Sequence, residues 1–195
     1  MALNRICVFT GSSPGARADY KRAAEALGHE LAHRGLTVVY GGARVGLMGI
    51  LADAALNSGG EVIGVIPEPL RNREIAHGNL TELRVVGSMH ERKQTMVTLS
   101  DGFIALPGGY GTLEEFTEVL TWAQLGLHKK PCGLLNIHGY YDHFIALLDH
   151  AVAERFVTRE HRDMLVTGTS PKELLEQFAA YQPPVVTKWL DRTTT

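Results

Sequence analysis

Two cysteines in 195 residues, Cys7 and Cys132, are too few for a disulfide framework, and no CxxC spacing is present. Both lie in apolar runs, RICVF and PCGLL, that read as buried strands. Two reduced thiols are the expectation. No apolar run reaches the roughly 18 residues a membrane-spanning helix needs. The opening MALNRICVFTG holds too short an apolar run for a signal peptide, so a cytoplasmic location is expected. An excess of one charge is also lacking: 19 Lys plus Arg face 21 Asp plus Glu, a net of −2. That balance offers no footprint for nucleic acid or an anionic membrane. A small anion needs only a local field, and so remains open.

Several catalytic signatures are missing too. The nearest approach to GxGxxG is Gly109-Tyr110-Gly111, where Glu114 takes the place of the third glycine, so a dinucleotide fingerprint is absent. YGGARVGLMG lacks the Gly-Lys-Ser/Thr ending of a Walker A loop, which argues against magnesium-dependent ATP hydrolysis. The histidines show neither HExxH nor a Cys/His ligand spacing, and there is no GxSxG elbow. No metal and no cofactor are expected.

What is present is alternation. Strands are expected at 5–10, 37–40, 61–66, 80–86, 103–106 and 133–137, and helices at 18–34, 47–57, 88–99, 112–125 and 141–156. Ser88 with Glu91 is a capping box, and Ser170-Pro171-Lys172-Glu173 opens a last helix. Such order gives an α/β fold, a doubly wound and mainly parallel sheet with helices on both faces. The length suits one domain, 1–180, followed by a tail, 181–195, whose Pro183 and Pro184 stop the last helix. Ligands of such sheets bind outside the carboxyl ends of the strands.

Three loops at those ends are rich in glycine: TGSSPGA (10–16), YGGARVGLMG (40–49) and LPGGYGT (106–112). Glycines there let main-chain N–H groups approach an anion, and the helix dipole adds partial positive charge. Ser12, Ser13 and Thr112 add hydroxyls. Any one such loop reads as an ordinary packing turn. Three on one sheet edge point to a phosphorylated ligand, and a monophosphate fits best because it needs one cradle.

The helix 88–99, SMHERKQTMVTL, carries an apolar seam of Met89, Met96 and Leu99, with Arg92 and Lys93 just past its first turn. Adjacent Arg and Lys are usually a solvated pair, yet cations there oppose the helix dipole unless an anion is near. Glu115 has two readings. Thr112 as N-cap and Glu115 three residues on fit a capping box; alternatively Glu115 faces the ligand space. The helix behind it has two apolar stripes, Leu113, Phe116, Leu120 and Ala123, and Val119 with Trp122, which suggests burial against the sheet and against another chain. Arg71, Arg73 and Glu74 sit in a loop placed to act as a lid.

PGGYGTLEE resembles the PGGxGTxxE motif of the Lonely Guy proteins, cytokinin-activating phosphoribohydrolases once labelled lysine decarboxylases. VFTGSSPG, YGGARVGLMG, REIAHGNL and SMHERKQTM precede it in the family's order, so the resemblance covers nearly all of residues 3–180. It implies a Rossmann-like fold, a homodimer, and hydrolysis of the N-glycosidic bond of AMP or an N6-prenylated AMP. It implies Arg92 and Glu115 as the catalytic pair. Substrate contacts are implied at Glu74, Lys93, the run Gly109, Tyr110, Gly111, Thr112, Leu113, Glu114 and Glu115, and Thr121. Ser12 and Gly42, in the other two glycine loops, and Met89, a candidate wall for a prenyl group, complete the expected site. Two other functions stand against this one: a carrier of a phosphorylated ligand such as a molybdopterin-type cofactor, and an amino acid decarboxylase needing pyridoxal phosphate on a lysine.

Overall fold

Short β-branched runs form the strands, β1 Arg5–Phe9, β2 Thr37–Tyr40, β3 Val62–Pro67, β4 Glu82–Val86, β5 Gly102–Ala105, β6 Cys132–Leu135 and β7 Leu165–Gly168. Between them lie α1 Ala18–His33, α2 Gly46–Asn57, α3 Glu68–Arg71, α4 Met89–Leu99, α5 Tyr110–Gln124, a 3-10 turn Ile137–Gly139, α6 Asp142–Ala153, α7 Arg159–Arg162 and α8 Pro171–Ala180. The structure is a computed structural model that describes residues 3–71 and 76–184. Among them no helix is long and apolar enough to cross a membrane.

The strands make one sheet in the order β4-β3-β2-β1-β5-β6-β7. Every strand pairing in it is parallel. The chain winds outward from β1 to β4, then returns and winds the other way from β5 to β7. This is the doubly wound, Rossmann-like α/β fold, and its switch point lies between β1 and β5.

Alternation along each strand splits the interior into two cores. Ile6, Val8, Val38 and Tyr40 face one side, with α1, α2 and α8. Cys7, Phe9, Val39, Phe103 and Ala105 face the other, with α4, α5 and α6. Central strands buried on both faces need continuous apolar runs, which is why these segments lack polar positions.

Four short elements were not expected from the sequence: α3, which falls in a stretch read as loop, the 3-10 turn, α7 and β7. β7 has only Leu165 and Val166 as apolar residues before Thr167, and it lies at the edge of the sheet. α7 is one turn, capped by Thr158. Element ends shift by a residue or two elsewhere, and α6 stops at Ala153 rather than 156, with Arg155 in the left-handed region (φ 64°) closing it. The Ser88 and Ser170 caps form as expected, each hydroxyl accepting from the N–H of the glutamate three residues on.

α1 and α2 touch through Gly28. A Cβ at Gly28 would stand 2.6 Å from the carbonyl oxygen of Leu51 and 2.9 Å from Ala55 N. Backbone cannot yield as a side-chain tip can, so Gly28→Ala is expected to destabilise by about 1–3 kcal/mol. Urea denaturation measures it; an unchanged midpoint would contradict the close approach.

Candidate active site

The neighbours β2, β1 and β5 end side by side, so the three glycine loops converge at the switch point. Between them and α4 opens a cleft of about 300 Å³. Its floor includes Thr10, Gly11 and Ser12 after β1 and Gly41 after β2, and Gly109, Tyr110, Gly111 and Thr112 from the start of α5. Met48, Met89, Met96 and Leu70 make an apolar wall, and Arg92, Glu114 and Glu115 are its charged groups.

α5 does not start where the capping box requires. Its N-cap is Gly109, in extended conformation, and no side chain caps it. Thr112 is therefore inside the first turn rather than at the cap. It is 4% exposed, and its Oγ1 fills the space where a Cβ on Gly108 would stand. Glycines at 108 and 109 let the helix begin one turn earlier. The consequence is chemical: the first N–H groups of α5 have no intrahelical acceptor and no side-chain cap, at the cleft surface. Glu115 lies one turn further in, past the N3 position that a capping box would give it.

Arg92 and Glu115 meet. Nη1 of Arg92 lies 3.2 Å from Oε1 of Glu115, and each residue is 8% exposed. The guanidinium is fixed elsewhere too: Nε donates to the carbonyl of Val65 at 3.1 Å. Its Nη1 also contacts the sulfur of Met89 at 3.8 Å. The third nitrogen lies against Gly41, where any Cβ would collide with Nη2. A solvated basic pair is thus excluded; Arg92 is a buried, oriented donor. Below it, burial first and the charge of Glu115 second hold the Cys7 thiol well above its ordinary value, against the opposing effect of Arg92. Cys7 is a protonated, fully buried core thiol that does not line the cleft.

Lys93 takes a different path. Its ammonium donates to Glu114 at 2.5 Å and to Glu118 at 3.1 Å, and it does not line the cleft. Burial acts to lower its pKa, but the two carboxylates outweigh that and raise it, so it stays charged. It fastens α4 to α5 beside the Arg92–Glu115 pair and neutralises acid at the mouth of the helix.

Of the other expected positions, Ser12, Met89, Gly109, Tyr110, Gly111, Thr112 and Glu114 line the cleft. Tyr110 is 93% exposed at its rim. Leu113 is half-buried against the core beneath. Gly42 turns the loop with φ 78°, and its carbonyl accepts from the N–H of His77, while its neighbour Gly41 reaches the cleft. Thr121 is exposed on α5, its hydroxyl on the carbonyl of Thr117, away from the cleft of a single chain. Arg73, Glu74 and the tail beyond residue 184 lie outside the described residues. The sequence reading missed Gly41, Met48 and Met96. The doubled glycine of YGGARVG was the available signal for the first. Among the described residues no group of three His, Cys, Asp or Glu side chains could hold a metal ion.

The family model described as "Possible lysine decarboxylase" matches residues 48–178. The chain is 51% identical to a cytokinin riboside 5'-monophosphate phosphoribohydrolase of Arabidopsis thaliana, over 92% of this chain and 84% of that protein. It is 50% identical to one of Oryza sativa subsp. japonica, over 92% of this chain and 74% of that protein. Among solved structures, the molybdenum cofactor binding protein of Rippkaea orientalis superposes with a TM-score of 0.69 at 25% identity, covering 92% of this chain and 98% of that one. The molybdenum cofactor carrier protein of Chlamydomonas reinhardtii gives 0.68 at 21% identity, covering 92% and 99%. The carrier likeness speaks for a shared fold, whereas half of all positions are held in common with the plant enzymes; the chain belongs to the family of the cytokinin riboside 5'-monophosphate phosphoribohydrolases, whose family model bears the lysine decarboxylase description.

Proposed function

We propose that this chain hydrolyses the N-glycosidic bond of adenosine 5'-monophosphate or an N6-modified form of it, giving the free base and ribose 5-phosphate. The relatives at about 50% identity carry this activity in their names. The observation that carries the residue roles is the buried Arg92–Glu115 contact one turn from an uncapped helix start.

The N–H groups at the start of α5, from Gly109 to Thr112, seat the 5'-phosphate. Cleavage of the bond between C1' and the base builds positive charge on the ribose ring. The Glu115 carboxylate stabilises that charge and accepts a proton from the water that attacks C1'. The electron pair of the broken bond leaves with the base, which takes up a proton. Arg92 orients the substrate and stabilises the negative charge developing on the leaving base. The methionines Met48, Met89 and Met96 offer an adaptable apolar wall for the base and any N6 substituent. Residues 1–180 act as one catalytic domain in this reading.

We also infer a homodimer in a reducing, cytoplasmic setting. α6 has no fully buried residue in the single chain: Phe144, Ile145 and Leu148 are only half-buried against the core, and Leu147 is exposed. Leu125, Leu127, Leu147 and Phe156 are 53%, 69%, 60% and 83% exposed, large apolar side chains that a partner chain could cover. The two cysteines are free and buried. Light scattering that reads a monomer's mass would remove the dimer from the account.

A carrier that binds phosphate without hydrolysis is the second reading, on the strength of the fold likeness. Incubation with AMP and reverse-phase chromatography separates the two. Free adenine should accumulate in proportion to enzyme and time; binding without adenine would favour the carrier.

A further inference from the structure

Four consecutive carbonyls in the loop that seats the phosphate each accept a hydrogen bond, two of them from tyrosines outside the cleft. Leu106 O accepts from the hydroxyl of Tyr141 at 2.6 Å. Pro107 O accepts from Gly11 N at 3.3 Å and from Thr10 Oγ1 at 3.4 Å. Gly108 O accepts from the hydroxyl of Tyr140. Gly109 O accepts from Leu113 N at 3.1 Å, the first bond of α5. A peptide's carbonyl and the N–H of the next residue point in opposite directions. Holding Gly108 O on the Tyr140 hydroxyl, outside the cleft, therefore aims the N–H of Gly109 at the cleft.

The two tyrosines come from one short connection between β6 and α6, and that connection is itself braced. Tyr141 N donates to Asn136 Oδ1 at 2.8 Å. Tyr140 meets Tyr20 of α1 edge to face at 5.7 Å, and Tyr141 at 5.0 Å. His138 is left-handed (φ 52°), and its Nε2 is 3.1 Å from Oδ2 of Asp19. None of these residues lines the Arg92–Glu115 cleft. Tyr20 and Tyr140 line a neighbouring pocket with Gly108 and Gly109, and Tyr140 and Tyr141 fix two carbonyls of the phosphate loop.

We propose that Tyr140 is a positioning residue for phosphate recognition: its hydroxyl, on Gly108 O, sets the peptide between Gly108 and Gly109 so that the N–H of Gly109 faces the 5'-phosphate. The inference rests on the phosphate seat assigned above. Tyr140 is 39% exposed, so its hydroxyl can be removed without opening the core. Tyr141, 1% exposed, is a poorer probe, because its loss would leave Leu106 O buried and unpaired.

The test is Tyr140→Phe, with Tyr20→Phe as a control that keeps the ring contact. Loss of one hydrogen bond that orients a charge-binding amide predicts a rise in KM for AMP of about five- to tenfold, with kcat within about twofold. The dissociation constant of ribose 5-phosphate, by calorimetry, should rise by the same factor. Competitive inhibition by adenine, which has no phosphate, should not change, and Tyr20→Phe should match the parent protein throughout. An unchanged ribose 5-phosphate affinity overturns the proposal. So does an equal weakening for adenine, which would mean general damage. Calorimetry needs no turnover: a parent protein that released no base yet bound ribose 5-phosphate in a Tyr140-dependent way would refute the hydrolase reading and keep the clamp.

Discussion

Glu115→Gln is expected to lower kcat for base release from AMP by about 10²–10³-fold, the usual cost of removing an electrostatic group aimed at the transition state. KM should move only a few fold, because the phosphate seat and the apolar wall are untouched. Gln keeps the size of the side chain and an oxygen that can accept from Arg92. It loses the negative charge that answers the cationic ring and the basicity that takes the water's proton. The ground state loses little and the transition state much, which is the pattern of a pure kcat defect. Arg92 would then lie buried beside a neutral amide, so stability should fall somewhat as well. Activity must therefore be referred to folded protein, measured by circular dichroism on the same sample. Near-parental kcat per folded molecule would remove Glu115 from the chemistry. Had the carboxylate been a helix cap, the reverse result would follow: loss of melting temperature with activity retained. Gly109, not Thr112, caps this helix, so that outcome has no structural basis.

The fate of Glu115 shows where sequence reading reaches and where it stops. Three glycine loops after three apolar strands were visible as strings, and parallel-sheet geometry places such loops together whatever their contacts. The central strands were legible because burial on both faces leaves only apolar residues. β7 was not, since an edge strand of four residues carries too few buried positions to stand out. At the site, Thr-Leu-Glu-Glu fits a capping box equally well as a local pattern. Only the tertiary path of Gly108 and Gly109 starts the helix a turn earlier and carries Glu115 past the N3 position. Arg92 and Lys93, adjacent and alike in sequence, part company for the same kind of reason. Arg92 meets Val65 and Glu115, while Lys93 turns to Glu114 and Glu118. The tyrosine brace behind the phosphate loop left no sequence pattern, because its hydroxyls bond main-chain carbonyls far away along the chain.

Gly41→Ala should be nearly as damaging as Arg92→Ala, and by the same route. A Cβ at Gly41 meets two neighbours, Met48 Cε at 2.6 Å and the Arg92 guanidinium more closely still. Methionine can swing its terminal methyl aside at small cost. The guanidinium cannot, because Nε is bonded to Val65 O and Nη1 to Glu115, and a planar group held at two points moves only by breaking one bond. A displacement of about 1 Å in a catalytic group commonly costs about 10²-fold. Arg92→Ala removes the group outright and should cost about 10²–10³-fold in kcat/KM. If both changes act through one guanidinium, their effects will not add. The double variant Gly41→Ala/Arg92→Ala should then be no slower than Arg92→Ala alone, whereas independent effects would multiply to about 10⁴ or more. Steady-state rates for the four proteins of this cycle decide it. Additivity would mean that Gly41 serves the fold of its own loop, and that the fit of the guanidinium against bare backbone is not what orients Arg92 towards Glu115.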